Sequence, residues 1–377
     1  MKNYKKESLL MHAKAGGKLA IISKVPLKNK DDLSRAYTPG VAEVSRAIGK
    51  NKKLAKKYTV KKNMIAIITD GSAILGLGNL GPEAALPVME GKAILFKNFA
   101  NVDAFPICLD TQDTEEIIKT VKYLAPVFGG INLEDISAPR CFEIEERLKR
   151  KLDIPVFHDD QHGTAVVVLA GLINALKLRG SNKNDVKIII NGAGAAGVAI
   201  TKLLLKYGFK NIIVCDRQGI ISSAREKLTL IKQELVKITN QNNISGKLAD
   251  AVKEADIFIG VSAAGVLTAD MVKTMNERPI VFAMANPDPE IMPDKAKKAG
   301  AFIIATGRSD FPNQVNNVLA FPGIFRGVLD KNISDITEKM LIRVAEALAK
   351  YVKKLNTENI LPNPLDKNVA KIIAKAI

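Results

Sequence analysis

The stretch Ile-Ile-Ile-Asn-Gly-Ala-Gly-Ala-Ala-Gly at residues 188–197 decides the fold of this chain. It ends a run of β-branched residues, and an apolar segment follows it as far as Tyr207. A second hydrophobic run, residues 211–215, then ends at Asp216. The order predicts a strand, a glycine turn, a helix and a second strand, with Asp216 where a carboxylate can accept hydrogen bonds from an adenosine ribose.

The glycines of this stretch fit the pattern G-x-G-x-x-G, and each has a physical reason. Gly192 allows the tight turn, Gly194 lets the backbone approach a pyrophosphate, and Gly197 lets helix and strand pack closely. The helix start at Ala195 and Ala196 offers unpaired N–H groups to phosphate oxygens. Small residues at a close strand–helix contact would give the same hexapeptide without a ligand. The strands on both sides and the acid at the right distance favour a nicotinamide dinucleotide site.

Length and composition predict a folded chain of two domains. The chain has 377 residues, of which 47% are hydrophobic, and its apolar runs are too short to span a bilayer. The first ten residues lack the apolar core of a signal peptide. The three cysteines are far apart and form neither a disulfide framework nor a zinc site. We therefore expect a cytoplasmic protein without a membrane segment.

A formal net charge of +17 raises the question of nucleic acid. The lysines are spread through almost every segment, and only six Tyr and no Trp accompany them. This pattern indicates a generally basic surface, which attracts small anions, and no nucleic-acid partner.

Strands and helices alternate along the chain, which predicts an α/β fold with a mainly parallel sheet. A long apolar helix is predicted at residues 164–178, directly before the dinucleotide unit. We expect the domain boundary near residues 155–163, and hence domains at residues 1–155 and 156–377.

Several predicted strands end at polar residues, where ligands bind in such sheets. These residues are Asp70, Asp110, Glu134, Asp135, Asp159, Asp160 and Asn286. Three carboxylates that meet near one point repel each other unless a cation neutralises them, and oxygen ligands favour Mg²⁺ or Mn²⁺ over zinc. Any single acidic pair could equally be a helix cap or part of a solvated loop.

Eight motifs in order resemble the short bacterial malic enzymes, over about residues 7–350. They are Ser-Arg-Ala-Tyr-Thr-Pro-Gly-Val-Ala (34–42), Thr-Asp-Gly (69–71), Gly-Leu-Gly-Asn-Leu-Gly (76–81), Met-Glu-Gly-Lys (89–92), Asn-Leu-Glu-Asp (132–135), Phe-His-Asp-Asp-Gln-His-Gly-Thr (157–164), Ala-Asn-Pro (285–287) and Asn-Asn-Val-Leu-Ala-Phe-Pro-Gly (316–323).

The resemblance implies an N-terminal α/β malic-enzyme domain, used for catalysis and dimerisation, followed by a Rossmann-type doubly wound parallel-sheet domain with a C-terminal helix. It also implies oxidative decarboxylation of (S)-malate to pyruvate and CO₂ with reduction of NAD(P)⁺ and a divalent metal, in a homodimer. By position, the resemblance assigns Tyr37 as the general acid, Lys92 as the general base and Asp159 as the support of the lysine. It assigns Glu134, Asp135 and Asp160 as metal ligands, and Asn286 and Asn317 as amides that contact the substrate. The residues that it assigns to the cofactor site are Gly192, Gly194, Ala195, Ala196, Gly197, Asp216 and Asn286.

The chemistry gives each assigned type a reason. Lys92 must be neutral to take the hydroxyl proton of malate, so we expect burial or a nearby cation to lower its pKa from about 10.4. Tyr37 would protonate C3 after CO₂ leaves. One departure stands out: longer malic enzymes carry a carboxylate-binding arginine at the position of Ala73.

Three questions stay open from the sequence. Asp216 disfavours the 2′-phosphate of NADP, but Arg217 beside it could pair with one, so NAD is expected with NADP possible. A malolactic reaction, in which reduced cofactor is reoxidised and lactate leaves, is an alternative. An inactive malate- or nucleotide-binding scaffold is another.

Overall fold

Two β-sheets form the framework of the chain. In the computed structural model, which describes residues 4–377, the first sheet has the strand order β2-β1-β3-β4 and is parallel throughout. Its strands are β1 (Met64–Thr69), β2 (Asp103–Cys108), β3 (Gly130–Leu133) and β4 (Val156–His158).

The second sheet has the order β10-β9-β8-β5-β6-β7, and only the short edge strand β7 runs antiparallel. Its strands are β5 (Lys187–Asn191), β6 (Asn211–Asp216), β7 (Gly219–Ile220), β8 (Ile257–Gly260), β9 (Ile280–Ala283) and β10 (Ile303–Thr306). The three isoleucines of β5 are completely buried, because helices cover both faces of a parallel sheet. The sequence prediction of an α/β fold with a Rossmann-type parallel sheet is confirmed.

The helices alternate with the strands. They are α1 (Tyr4–Ala15), α2 (Lys30–Ala36), α3 (Val41–Lys50), α4 (Ala55–Tyr58), α5 (Pro82–Ala100), α6 (Thr114–Leu124), α7 (Arg140–Lys151), α8 (Asp159–Arg179), α9 (Ala195–Tyr207), α10 (Leu230–Ile238), α11 (Leu248–Val252), α12 (Ala269–Lys273), α13 (Pro293–Lys298), α14 (Phe321–Lys331), α15 (Glu338–Tyr351) and α16 (Asn368–Ala376).

Helix α8 joins the two sheets. It starts directly after β4 of the first sheet and packs along α9 and α15 beside the second. Within residues 4–377 it is the one helix long and apolar enough to span a bilayer, so the expectation that no apolar segment is long enough was wrong on length. Most of that segment is buried inside the protein, 72% of its apolar window, as in the core helix of a folded domain.

The start of α8 differs from the sequence prediction in a way that matters for the site. The predicted helix begins at residue 164, but the observed helix begins at Asp159. Asp159 and Asp160 therefore lie in its first turn, where their carboxylates meet the positive end of the helix dipole. The domain boundary expected near residues 155–163 stays a prediction; β4 ends the first sheet within that range.

The N-terminal part of the chain packs little against the rest. Helix α1 buries no residue and ends at Ala15, before Gly16 and Gly17, which adopt positive φ. Large apolar side chains here are exposed, among them Leu9, Leu10, Met11, Ile21, Ile22, Val25, Leu27 and Leu33. An exposed apolar surface of this extent is typical of a protein interface.

Candidate active site

A buried lysine lies where the first sheet meets α8. Lys92 comes from the middle of α5, and its ammonium lies 2.6 Å from Asp159 Oδ2 and 2.8 Å from Glu134 Oε1. The Phe321 ring covers it, with Nζ 4.3 Å from the ring centroid. These groups are fixed by three elements, because Glu134 follows β3, Asp159 opens α8 and Phe321 opens α14.

Beside the lysine lies a cluster of three carboxyl groups. Glu134, Asp135 and Asp160 each offer an oxygen, and the three oxygens lie within 4.8 Å of one another. The backbone N–H of Asp135 donates to Asp160 Oδ2 at 2.8 Å, and Asp135 itself has φ +52°, a conformation that Asp tolerates better than most residues.

The cluster fits a hard divalent cation. The buried oxygen Asp135 Oδ2 has no hydrogen-bond partner among residues 4–377, and a buried polar atom left in this way is costly unless a ligand satisfies it. An all-oxygen donor set of this kind suits Mg²⁺ or Mn²⁺.

The surrounding protein groups disfavour the ionised forms of these acids. Burial and the neighbouring carboxylate of Asp160 raise the pKa of Asp135 to about 7. Burial also raises the pKa of Glu134 well above its usual range, although Lys92 opposes this. Removing charged oxygens from water and placing like charges together both favour the protonated form.

The pKa of Lys92 moves in the opposite direction from the sequence expectation. Burial favours the neutral amine, but the carboxylates of Asp159, Glu134 and Asp160 outweigh it and raise the pKa well above its ordinary value. The sequence identified the lysine but gave no measure of how closely three acids surround it.

The two predicted substrate amides lie in different places: Asn317 is beside the start of α8, and Asn286 is beside a glycine turn of the N-terminal part of the chain. A Cβ atom on Gly163 would lie 1.8 Å from Asp159 Oδ1 and 3.2 Å from Asn317 Cβ, so Asn317 lies against the first turn of α8. Asn286 is exposed and contacts the glycine turn of the first domain, since its carbonyl lies 2.7 Å from where a Cβ of Gly76 would be.

Tyr37 is the predicted site residue that the structure does not bring to the cluster. It follows α2 in the N-terminal segment, where 67% of it is exposed. Within residues 4–377, its hydroxyl forms no hydrogen bond with Lys92 or the acidic groups. The role of Tyr37 therefore stays a prediction that one chain by itself does not support.

The dinucleotide turn has the expected geometry. A Cβ on Gly197 would lie 1.8 Å from the carbonyl oxygen of Gly192, so helix and turn are in direct contact. A Cβ on Gly194 would meet nothing within 4 Å, and this open space lies at the N-terminus of α9, which starts at Ala195. The turn thus has room for a phosphate beside unpaired N–H groups.

Asp216 has partners that the sequence did not predict. Its carboxylate accepts hydrogen bonds from both terminal nitrogens of Arg225, at 3.0 Å each, and lies 2.7 Å from Lys232 Nζ. These cations hold the pKa of Asp216 down at about 2 although burial opposes them.

Sequence reasoning also missed a buried carboxylate on α7. Glu145 is 5% exposed and accepts hydrogen bonds from the His158 backbone N–H, Gln161 Nε2 and a ring nitrogen of His162. A signal was available, because Glu145 lies on the face of α7 that carries the buried residues Cys141, Ile144 and Leu148. A lone acid on such a face needs buried partners.

The raised pKa of Asp135 generates a stability prediction. Its folded-state pKa of about 7 exceeds the unfolded value of about 3.9, so the native state binds more protons than the unfolded chain and loses stability as pH rises between these values. Asp135→Asn removes the charge and keeps the shape. In EDTA we expect it to increase the free energy of unfolding at pH 8 by about 1 kcal/mol or more, and by less at pH 5.

Urea unfolding at both pH values measures this effect. Asp110→Asn is the control, since Asp110 also follows a strand of the first sheet but is exposed. Lower stability of Asp135→Asn at pH 8 would show that the cluster is not strained by its own charge.

Known proteins match this chain over nearly its whole length. Residues 16–149 match the family model of the malic enzyme N-terminal domain, and residues 161–377 match that of the malic enzyme NAD binding domain. A bifunctional malic/malolactic enzyme of Bacillus subtilis is 56% identical over 99% of this chain and 92% of its own. An NAD-dependent malic enzyme of Geobacillus stearothermophilus is 55% identical over 100% of this chain and 78% of its own.

Solved structures give the same result. The crystal structure of an NAD-dependent malic enzyme from Thermotoga maritima superposes with a TM-score of 0.95 at 49% identity, covering 98% of each chain. The malic enzyme from Pyrococcus horikoshii superposes with a TM-score of 0.93 at 47% identity, covering 99% of this chain and 89% of its own. The chain therefore belongs to the malic enzyme family, the oxidoreductases that decarboxylate malate with reduction of NAD(P)⁺.

Proposed function

We propose that this chain binds (S)-malate between Lys92 and the carboxylates of Glu134, Asp135 and Asp160, and converts it to pyruvate, CO₂ and NADH. The observation that carries the proposal is the 2.6 Å contact of Lys92 with Asp159 beside this acidic cluster. A base and a cation site for one hydroxyacid are thus adjacent, as the reaction requires.

Glu134, Asp135 and Asp160 are the proposed ligands of Mg²⁺ or Mn²⁺. When bound, the dication supplies positive charge that polarises the C2 oxygen of the substrate and opposes protonation of Lys92. The unpartnered Asp135 Oδ2 and the raised pKa values of Asp135 and Glu134 support this assignment.

Lys92 is the proposed general base. Its Nζ takes the proton of the malate C2 hydroxyl while hydride leaves C2 for the nicotinamide. Asp159 orients the amine through its 2.6 Å contact, and Phe321 keeps water from it. The proposed role of Asn286 and Asn317 is to hold the substrate carboxylates, which matters here because Ala73 cannot.

For the cofactor we propose NAD, with NADP accepted less well. Asp216 ends β6, at the place where sheets of this kind bind the adenosine ribose. Arg225 and Lys232 already neutralise this carboxylate, which reduces its repulsion of a 2′-phosphate. The three cysteines are free thiols, in keeping with the reducing cytoplasm that we propose as its location.

An assay with malate and Mn²⁺, run with each nucleotide in turn, tests the proposed reaction. We expect lasting absorbance at 340 nm and formation of pyruvate, faster with NAD⁺ than with NADP⁺. Lactate without lasting absorbance would instead support the malolactic reaction, which the name of the Bacillus relative makes a specific alternative. Binding of Mn²⁺ and malate without turnover would support an inactive scaffold.

We also propose a homodimer whose active sites are shared, with Tyr37 reaching the cluster of the partner subunit. Two observations support it. The apolar side chains between Leu9 and Leu33 are exposed to solvent in a single chain. Tyr37, at the end of the same segment, does not contact the acidic cluster of its own chain. An interface formed by this segment would bury both.

Complementation tests the shared site. Tyr37→Phe and Lys92→Ala should each abolish turnover as homodimers. Coexpressed, they form hybrids with one intact site among two, so random pairing should restore about a quarter of wild-type activity. If each site is built from a single chain, the mixture should stay inactive. A monomer mass by light scattering would contradict the dimer itself.

A further inference from the structure

The first turn of α8 carries two of the groups on which the proposed chemistry depends. Asp159 contacts Lys92 and Asp160 belongs to the acidic cluster. The first turn of a helix frays easily unless its unpaired N–H groups and its side chains are held. What holds this turn in place therefore affects where both carboxylates lie.

Glu145 of α7 makes three polar contacts with this turn. Its Oε1 accepts from the His158 backbone N–H at 3.2 Å, and its Oε2 accepts from Gln161 Nε2 at 3.1 Å and contacts His162 Nε2 at 2.9 Å. Lys149, one turn further along α7, lies 3.1 Å from Oε1. All four lone-pair directions of the carboxylate are thus engaged.

These contacts explain the direction of the acids. The backbone N–H of His158 and the side chains of Gln161 and His162 face Glu145, whereas the His158 ring lies 3.3 Å from Asp160 Oδ2. Residues 159 and 160 project from the other side, toward Lys92 and Asp135 respectively. The acid on α7 and the acids on α8 thus lie on opposite sides of one helical turn.

Within residues 4–377, the polar contacts of Glu145 are with this turn and with Lys149 of its own helix. Burial by itself would raise the pKa of Glu145, but His162 and Lys149 hold the pKa below its usual range. A buried carboxylate destabilises a protein unless it is fully paired. A hydrophobic residue of similar size could fill the same place on α7 without this cost.

We propose that Glu145 is a positioning residue of the metal site: by binding His158, Gln161 and His162, it holds Asp160 where Asp160 can bind the divalent cation. The proposal rests on the proposed metal site. It goes beyond that site because Glu145 is not one of its proposed ligands, Glu134, Asp135 and Asp160. Residues that orient metal ligands without binding the metal themselves typically contribute about 10–100-fold to metal affinity, and we expect an effect in this range.

The test is direct Mn²⁺ binding, measured without substrate by electron paramagnetic resonance of the free ion. Glu145→Gln keeps the size of the side chain but replaces an acceptor oxygen by a donor that opposes the Gln161 amide. We expect its dissociation constant for Mn²⁺ to rise about tenfold or more. NAD⁺ affinity, measured by calorimetry, should stay within about twofold of wild type, because the hydrogen bonds and ion pairs of Glu145 go to the start of α8 and to Lys149 and not to the glycine turn.

Matched variants separate positioning from general stability. Glu146→Gln, the next residue on α7, loses an exposed ion pair with Arg150 and should bind Mn²⁺ like wild type. Gln161→Met keeps the length of the side chain and removes one contact to Glu145, so it should weaken Mn²⁺ binding by about threefold even if Glu145→Gln fails to fold.

The outcomes distinguish the two proposals. Asp160→Asn should abolish Mn²⁺ binding, and a wild-type protein that binds no Mn²⁺ would overturn the metal site and the role of Glu145 together. If wild type binds Mn²⁺ and both Glu145→Gln and Gln161→Met bind it equally well, the metal site stands and the positioning role is wrong, whatever happens to the melting temperature.

Discussion

The structure depends on one electrostatic constraint: several carboxyl groups are buried together around a single amine. Glu134, Asp135, Asp159 and Asp160 come from two separate segments and meet at Lys92. Lys92 balances one negative charge, so the group is unfavourable in protein alone, as the raised pKa values of Glu134 and Asp135 indicate. Natural proteins keep such strained groups where a ligand relieves the strain.

The fold brings these groups together with the ends of parallel strands. β3 and β4 are neighbours in the first sheet, so the residues that follow them reach the same edge. Helix α8 starts at this edge and packs against α9 and α15, which lie beside the second sheet. Its first turn is therefore part of the proposed metal site, while the rest of the helix is core that connects this site to the second sheet.

The sequence predicted the elements whose signals are local. The β-branched runs and glycine turns predicted the strands of both sheets except the short edge strand β7, and the acids after β3 and β4 followed from parallel-strand geometry. The start of α8 was misplaced because an acidic pair after a strand fits a loop and a helix N-terminus equally well. The partners of Asp216 and Glu145 come from other helices, so no local pattern predicts them. The shift of the Lys92 pKa depends on distances to three acids, which a sequence does not contain.

The most direct measurement is the anomalous scattering of Mn²⁺ in crystals of the protein grown with manganese. We expect one strong peak in each active site, bonded to carboxylate oxygens of Glu134, Asp135 and Asp160, with Lys92 still beside Asp159. A manganese peak bound elsewhere, with these three carboxylates turned away from each other, would contradict the proposed metal site.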